Sequence, residues 1–335
     1  MSESVSILGA GSWGLAIARL LNNNGYPVRI WEFNNDDYRL LLKHRTHPNK
    51  LPDCRLDEAI LVTNDIDECL DNTDLIVLAV PSQFLRSALK NIKADLRHIM
   101  GIVNLAKGIE TGSLQRMSQI VNETLSIPEN KIMTISGPSH AEEVTLDMPT
   151  TVVAAGYDQS LVEEMQRIFS NPTFRVYCSN DLIGVELGGA LKNIIAIAVG
   201  IAAGLNTGDN TLGALITRGL AEISRLGVVM GADPLTFSGL SGVGDLVTTC
   251  VSRHSRNRYV GESIGKGKTL DEVLKGMHMV AEGVQTTKSG RELARIHQVE
   301  MPLTEAVYNV LFENKSPSEA VQELMGRELK PEIWS

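Results

Sequence analysis

The chain has 335 residues, which is more than one typical hydrophobic core can organise, so two domains are expected. Its 31 basic and 40 acidic residues give a net charge of −9, which argues against a general nucleic-acid or anionic-membrane surface. The four scattered cysteines form no C-x-x-C pair, so neither a metal site nor a disulfide framework is expected. With no basic region or cleavage site of a signal peptide, the composition favours a cytoplasmic protein.

The first predicted unit is a strand, a glycine-rich turn and a helix. Residues 5–8 form a short apolar run, and residues 15–21 continue as an apolar helix. Between them stands G-x-G-x-x-G, with its glycines at Gly9, Gly11 and Gly14. In this context the glycines permit a tight turn, approach of the backbone to a pyrophosphate, and close packing of the helix on the strand. The motif predicts a dinucleotide site, and the alternative is a turn that only packs.

Strand and helix signals alternate through the first half of the chain. This alternation predicts a parallel sheet covered by helices, as in a Rossmann-type α/β domain. The segment 75–80 is apolar on both faces, as a central parallel strand is. The predicted strands are 5–8, 28–31, 75–80, 101–106, 131–136, 150–155 and 174–177.

From about residue 181 the strand signals end and the sequence becomes helical. The longest apolar run, residues 194–205, is shorter than a bilayer span and indicates a buried core helix, so no membrane insertion is expected. We predict a Rossmann-type domain at residues 1–185, an all-helical domain at residues 186–335, and a ligand cleft between them. The predicted helices of the second half are 188–201, 214–230, 255–264, 270–275, 286–297, 304–312 and 317–325.

The residues at the end of the second predicted strand indicate which dinucleotide cofactor is preferred. Glu32 lies about 20 positions past the glycines, where an acidic residue accepts the adenosine ribose hydroxyls in NAD-binding proteins. Phe33 would cover the adenine, and no basic residue follows before Arg39, so a 2′-phosphate has no evident partner. These features favour NAD over NADP, with a solvated strand-end charge as the alternative role of Glu32. Phe84, after the central strand, is a further candidate for lining the site.

Lys192 is the leading candidate for a catalytic acid. It is the only charged side chain between Glu186 and Asp209, on a helix whose other residues are those of a protein interior. Burial lowers the pKa of an ammonium group, and hydride transfer to a carbonyl requires a proton donor. Asp245, flanked by glycines and apolar residues, would orient Lys192 and stabilise its charge. The alternatives are a lysine that snorkels to the surface and an aspartate that caps the following helix.

Three further segments are candidates for holding a substrate. Residues 255–257 (Ser-Arg-Asn) stand at an apparent helix start, where backbone N–H groups, a guanidinium and an amide suit an anion. A capped basic helix start on the surface is the alternative for this segment. Lys107 follows a strand on the ligand side of an open α/β sheet. A similar strand-end loop carries Gly137 and Ser139, which could approach a ligand closely.

Eight segments together resemble one known family over essentially the whole chain. Their order resembles that of NAD(P)-dependent glycerol-3-phosphate dehydrogenase of the bacterial type. The resemblance implies interconversion of dihydroxyacetone phosphate and sn-glycerol 3-phosphate with NAD(P)H, for phospholipid synthesis. It also implies a cytoplasmic enzyme, commonly a homodimer. The segments are GAGSWG, NLAKGIE, SGPSHAEEV, ELGGALKNIIAIA, GVGDLVTTC, SRNR, MVAEGVQT and LMGRELK.

The resemblance further implies roles for individual residues. Lys192 would be the general acid/base, with Asp245 as its partner and Lys107 near the reacting carbonyl. A departure from many bacterial relatives is the sequence Glu32-Phe33-Asn34, where a small or basic residue commonly follows the tryptophan, and it leaves NAD preference as the hypothesis. Substrate contacts are implied for Lys107, Gly137, Ser139, Lys192, Asp245, Thr249, Ser255, Arg256 and Asn257. Cofactor contacts are implied for Ser12, Trp13, Phe33, Lys107, Ala141, Arg256, Val280 and Glu282.

Two other functions remain open from the residues alone. A different dehydrogenase of phosphorylated or acidic hydroxy compounds, such as a sugar-acid dehydrogenase, shares the two-domain plan and a lysine acid. A regulator that senses a dinucleotide without turnover is a different class of protein. Such a regulator would not need Lys192 beside Asp245, and it would bind cofactor without oxidising any substrate.

Overall fold

A single eight-stranded sheet forms the first half of the protein in the computed structural model, which describes residues 3–332. The strands are β1 (Val5–Leu8), β2 (Val28–Trp31), β3 (Leu61–Thr63), β4 (Leu75–Leu78), β5 (Gly101–Asn104), β6 (Ile132–Ser136), β7 (Thr150–Gly156) and β8 (Phe174–Ser179). Their spatial order is β3-β2-β1-β4-β5-β6-β7-β8. This Rossmann-like order confirms the predicted α/β class and all seven predicted strands, while β3 at the edge was not predicted.

The sheet is parallel except at one pair. β6 and β7 are antiparallel, with Ser136 opposite Val153, so the predicted parallel sheet contains one antiparallel pair. The connection contains only the short helix at residues 141–145. A helix of five residues rises about 7.5 Å, which is too little to carry the chain back along a strand for parallel pairing. The carboxyl ends of β1, β4, β5 and β6 nevertheless meet at one edge, where ligands bind in such sheets.

Helices cover both faces of the sheet and then form the rest of the protein. In the first half they are α1 (Ser12–Asn23), α2 (Asn35–His44), α3 (Ile66–Leu70), α4 (Ser82–Leu89), α5 (Met117–Leu125), α6 (Ala141–Thr145) and α7 (Gln159–Phe169). In the second half they are α8 (Leu182–Gly204), α9 (Asp209–Val229), α10 (Asp245–Val251), α11 (Arg256–Gly265), α12 (Leu270–Lys275), α13 (Glu282–Ile296), α14 (Pro302–Phe312) and α15 (Pro317–Met325). Between β8 and Glu332 the described chain contains no further strand, as predicted.

Helix α8 is the central helix of the second half. It is apolar on all sides, and its length and composition would allow it to cross a membrane. However, 89% of the apolar 18-residue stretch within it is buried inside the protein. Within residues 3–332 no other helix passes this test of length and composition. The helix begins at Leu182, so the predicted domain boundary between residues 185 and 186 falls within its first turn.

Helices α8 and α11 approach each other to backbone contact. A Cβ on Gly200 would lie 2.2 Å from the carbonyl oxygen of Arg258, and a Cβ on Gly261 would lie 2.0 Å from that of Ile197. Both distances are far below van der Waals contact, so a side chain at either position would force the helices apart. The start of α11, at Ser255, is thereby fixed relative to α8.

Candidate active site

Two lysines share one buried carboxylate at the carboxyl edge of the sheet. Lys192 Nζ donates to Asp245 Oδ1 and to Thr249 Oγ1, each at 2.5 Å. Lys107 Nζ donates to Asp245 Oδ2 at 2.7 Å and to the carbonyl oxygen of Gly137 at 2.9 Å. The side chains of Lys192 and Asp245 are 7% and 2% exposed. The lysine does not snorkel to the surface, and the aspartate directs its carboxylate at the two ammonium groups.

The local electrostatics favour proton exchange at Lys192. Burial lowers the pKa of Lys192 to about 8, although the neighbouring Asp245 acts to raise it. Burial would raise the pKa of Asp245, but the charges of Lys107 and Lys192 outweigh burial and hold it below its ordinary value. Asp245 is therefore a permanent anion near neutral pH, and Lys192 is an ammonium whose proton is more easily released than that of an exposed lysine.

Glycines allow three chain segments to converge on this cluster. Lys107 follows β5, and Gly137 follows β6 with a φ of +139°, which turns its carbonyl oxygen toward Lys107. Helix α8 passes so close that a Cβ on Gly189 would lie 2.6 Å from Ser136 Oγ. Ser139 lies in the same loop and donates its hydroxyl hydrogen to the carbonyl oxygen of Gly137 at 2.8 Å. Lys107, Gly137 and Ser139 are therefore joined through hydrogen bonds to the carbonyl oxygen of Gly137.

A chain of amide contacts joins the cluster to α11 and α13. Asn193, directly after Lys192, accepts from Asn257 Nδ2 at 2.8 Å and donates to the carbonyl oxygen of Lys107 at 3.3 Å. Asn257 Oδ1 accepts from the backbone N–H of Gly283 at 2.9 Å. Sequence reasoning missed Asn193. Its polar side chain, next to Lys192 on an otherwise apolar helix, was the available signal.

The predicted anion site lies at the start of α11. Ser255 caps this helix, its Oγ accepting from the backbone N–H of Arg258 at 3.2 Å. Arg256 is exposed, and its Nη1 donates to the carbonyl oxygen of Val280 at 3.0 Å. Asn257 is buried and directs its amide to α8 and α13 instead of outward. Of the three predicted residues, Arg256 is thus the one with an exposed charged group.

The glycine-rich turn has the shape that a dinucleotide requires. Gly9 has a φ of +110°, and a Cβ there would lie 2.8 Å from the backbone of Ala79 at the end of β4. A Cβ on Gly14 would lie 1.9 Å from the carbonyl oxygen of Gly9. Gly11, at the N-cap of α1, has open space on its Cβ side, and no side chain caps this helix. Free N–H groups at a helix start with open space in front fit a pyrophosphate.

Three residues that the resemblance assigns to the cofactor lie on α1 or on α6, the helix that packs against it. Ser12 begins α1 and donates its hydroxyl hydrogen to the carbonyl oxygen of Lys50 at 2.5 Å. Trp13 packs its ring against Phe174 of β8, with 6.4 Å between centroids. Ala141 is buried at the first position of α6, which packs on α1. Trp13 and Ala141 are thus engaged with the protein interior through their side chains.

The second strand ends in an ion-pair cluster that was not predicted. Glu32 Oε2 accepts from Lys50 Nζ at 2.7 Å, and Glu32 Oε1 accepts from the backbone N–H of Asn34 at 2.8 Å. Both carboxylate oxygens therefore have partners within the protein. The expectation that no basic group is available here is wrong, because a later loop returns Lys50 to the end of β2.

Two exposed aromatic side chains flank the same edge of the sheet. Phe33 is 77% exposed and meets Trp31 edge-on, with 6.1 Å between ring centroids. Phe84, on α4 after β4, is 57% exposed. Both aromatic side chains are therefore accessible to a ligand at this edge.

The helical half contacts the sheet edge through Glu282. This residue begins α13, and its carboxylate accepts from the backbone N–H of Ser82 at 2.9 Å and from the Ser82 hydroxyl. Burial raises the pKa of Glu282, against the lowering effect of these hydrogen bonds. Val280, two residues earlier, is partly exposed beside Arg256. Glu282, which the resemblance assigns to the cofactor, therefore joins the two halves of the protein.

His140 lies in the loop after β6, close to Lys192, Lys107 and Asp245. Its ring centroid lies 5.9 Å from that of His254, and its Nε2 is buried without a hydrogen-bond partner within the described chain. Burial, followed by the charges of Lys192 and Lys107, lowers the pKa of His140 to about 4. The imidazole is therefore neutral near pH 7 and adds no charge to the site.

Comparisons with known proteins agree over the full chain. Residues 4–162 match the model of the NAD-dependent glycerol-3-phosphate dehydrogenase N-terminus, and residues 181–322 match that of its C-terminus. A glycerol-3-phosphate dehydrogenase (NAD(P)+) of Fusobacterium nucleatum subsp. nucleatum is 50% identical over 331 residues, covering 99% of each chain. The corresponding protein of Geobacillus kaustophilus is 50% identical over 332 residues, covering 99% of this chain and 96% of the relative.

The fold also matches that of solved structures. The crystal structure of glycerol-3-phosphate dehydrogenase from Coxiella burnetii superposes with a TM-score of 0.92 at 36% identity, covering 97% of this chain and 99% of that one. Full-length similarity in sequence and in structure points to the same group of proteins. The chain belongs to the NAD-dependent glycerol-3-phosphate dehydrogenase family.

Proposed function

We propose that this protein interconverts dihydroxyacetone phosphate and sn-glycerol 3-phosphate with NAD(P)H, as the names of its relatives indicate for them. The observation that carries the proposal is the pairing of Lys192 with Asp245 at the same sheet edge as the glycine-rich turn. A proton donor and a dinucleotide turn at one edge are the two parts that a carbonyl reductase needs. The product would supply glycerol 3-phosphate for phospholipid synthesis.

The mechanism assigns one task to each group of the cluster. The reduced nicotinamide, when bound, supplies the hydride for the carbonyl carbon. Lys192 Nζ donates its proton to the carbonyl oxygen as negative charge develops there, and Asp245 holds Lys192 in the orientation for this transfer. Lys107, bound to the same carboxylate, adds a second positive charge near the developing alkoxide. Thr249 completes the positioning of Lys192.

The substrate phosphate is assigned to the start of α11. Arg256 offers an exposed guanidinium, and Ser255 places the first N–H groups of the helix nearby. Asn257 fixes the start of α11 to α8 through its hydrogen bond to Asn193, the residue next to Lys192. Gly137 and Ser139, in the loop after β6, are also assigned to the substrate. Binding of the remote phosphate would orient the reacting carbon toward Lys192.

Replacing Arg256 with alanine tests the phosphate site. A charge-assisted hydrogen bond to an ionised group contributes about 1.5–3 kcal/mol, so KM for dihydroxyacetone phosphate should rise about 10- to 100-fold. Arg253, exposed in the preceding loop, is the matched control, and Arg253→Ala should leave KM within about threefold. An unchanged KM in the Arg256→Ala variant would remove this residue from the phosphate site.

The pKa of Lys192 predicts opposite pH profiles for the two directions. Reduction needs the ammonium form, so its kcat should fall as pH rises through about 8. Oxidation of glycerol 3-phosphate needs the neutral amine, so its kcat should rise through the same range. His140, with a pKa of about 4, does not titrate there. Measuring kcat between pH 6 and 10 in both directions checks this, and parallel profiles would contradict the assignment.

The whole proposal is tested by mixing the purified protein with dihydroxyacetone phosphate and following the loss of absorbance of NADH, and separately of NADPH. Consumption of either cofactor supports the assigned reaction. Binding of both cofactors without turnover of this substrate would reject it and favour another phosphorylated hydroxy compound. Binding without turnover of any such compound would favour a dinucleotide sensor. A cytoplasmic homodimer is proposed from family resemblance, and sedimentation analysis tests the dimer. The division into domains at 1–185 and 186–335 is proposed from the change in sequence pattern, from alternating strands and helices to helices alone.

A further inference from the structure

Lys50 lies between two carboxylates at the end of β2. Its Nζ is 2.7 Å from Glu32 Oε2 and 2.7 Å from Asp37 Oδ2. The Lys50 side chain is 16% exposed, so the ammonium group is largely withdrawn from solvent. Two carboxylates around one ammonium leave an excess negative charge. Glu32 directly follows β2, the position at which the adenosine ribose of a dinucleotide is read in Rossmann folds.

The loop that carries Lys50 is itself held in place. His47 Nδ1 accepts from the backbone N–H groups of Asn49 at 3.3 Å and Lys50 at 3.2 Å. The other ring nitrogen of His47 lies 2.9 Å from Asp37 Oδ1. The carbonyl oxygen of Lys50 accepts from Ser12 Oγ in the glycine-rich turn. The backbone is thus anchored at the turn, while the four-carbon side chain of Lys50 retains rotatable bonds.

The two cofactors differ in what they place at this cluster. NAD presents ribose hydroxyls, which a carboxylate such as Glu32 can accept. NADP presents a 2′-phosphate with a charge of about −1.5 to −2, which Glu32 and Asp37 repel. A compensating cation is needed there if NADP is to bind, and Lys50 is the cation whose ammonium group contacts Glu32 directly.

We propose that Lys50 is the specificity-determining residue for the 2′-phosphate of NADP. With NADP bound, Lys50 Nζ moves from Glu32 to the phosphate. With NAD bound, it stays between Glu32 and Asp37. The excess negative charge makes NAD the preferred cofactor, and rotation of the Lys50 side chain toward the phosphate keeps NADP usable. This inference rests on the proposed use of a nicotinamide dinucleotide, but it does not depend on the identity of the carbonyl substrate.

The test compares two fragments that differ only by the 2′-phosphate, 2′,5′-ADP and 5′-AMP. Calorimetric titration gives the Kd of each fragment for the unaltered protein and for Lys50→Met, which keeps a chain of similar length without its charge. We expect Lys50→Met to weaken 2′,5′-ADP binding by about 10- to 100-fold, as for loss of a charge-assisted contact, and 5′-AMP binding by about threefold or less. Lys43, exposed on α2, is the matched control, and Lys43→Met should shift neither Kd.

Other outcomes overturn the proposal. Equal weakening of both fragments would mean that Lys50 only supports the loop, and no weakening of 2′,5′-ADP would mean that it does not meet the phosphate. Glu32→Gln provides an independent check, because release of Lys50 and loss of one repulsive charge should tighten 2′,5′-ADP binding. Kinetics should agree, since Lys50→Met should lower kcat/KM for NADPH about tenfold more than for NADH.

The fragment titration also separates failure of this inference from failure of the proposed function. Neither fragment carries a nicotinamide or needs a substrate. If dihydroxyacetone phosphate is not turned over but the fragments still discriminate through Lys50, the assigned reaction is wrong and the inference stands. If turnover is normal but Lys50→Met binds both fragments as the unaltered protein does, the reaction stands and the inference is rejected.

Discussion

Replacement of Lys192 with methionine or alanine should lower kcat for dihydroxyacetone phosphate about 10²- to 10⁴-fold, the usual contribution of a general acid. The protein should still fold, because Asp245 keeps Lys107 as a counter-charge at 2.7 Å. Methionine has nearly the volume of lysine, so Lys192→Met also avoids the cavity that alanine would leave in α8. The cofactor turn lies on α1 and is not contacted by Lys192, so the Kd for NADH should change little.

The measurement pairs steady-state kcat with a fluorescence titration of NADH on each variant. Lys192→Arg adds a second comparison, since a guanidinium keeps the positive charge but does not release a proton near neutral pH. It should therefore fail to restore turnover. Turnover near that of the unaltered protein in the methionine variant would show that another group donates the proton.

Replacement of Asp245 with asparagine should have the second large effect. The change leaves two ammonium groups, Lys192 and Lys107, without their shared carboxylate. Breaking a buried ion pair from one side costs about 3–5 kcal/mol, so the free energy of unfolding should fall by that order. Loss of the anion also lowers the pKa of Lys192 further, so the acid form should be depleted at neutral pH and the reductive kcat should fall as well.

Urea denaturation of three proteins separates the effect of the unpaired charges on stability from any effect of altered packing. Asp245→Asn should unfold at a lower urea concentration than the unaltered protein, and the double variant Asp245→Asn/Lys107→Met should recover part of the difference, because it removes one uncompensated charge. If Asp245→Asn unfolds at the same urea concentration as the unaltered protein, the carboxylate is not needed to hold the two lysines.

Much of the fold was predictable because its signals are local. The strand Val5–Leu8, its glycine-rich turn and helix α1 are all specified within a short stretch of sequence. Strand β3 was not predicted, because three residues with an exposed Leu61 carry too little pattern. The antiparallel pairing of β6 with β7 was also missed, because the helix between them has only five residues and the sequence pattern did not show that it is too short for a parallel crossover.

The candidate site was predictable only in part, for the same reason. Lys192 and Asp245 could be predicted because each is a charged residue in an apolar or glycine-rich segment. The structure brings them into contact although they are 53 positions apart in the sequence. Lys50 stands in a loop without a motif, and nothing local indicates that it returns to Glu32. The contact between Lys50 and Glu32 depends on the tertiary structure of the loop, so it cannot be predicted from the local sequence.

The backbone contact between α8 and α11 limits how the specificity of this protein could be redesigned. Lys192 lies on α8, and the start of α11 at Ser255 is held to it by Gly200 and Gly261, where no side chain fits. The span between the proposed acid and the proposed phosphate site is therefore set by two helices that cannot slide or separate without loss of packing. Selection for longer or bulkier phosphorylated substrates should succeed through the loops around Gly137, and should recover few changes along the helix crossing itself.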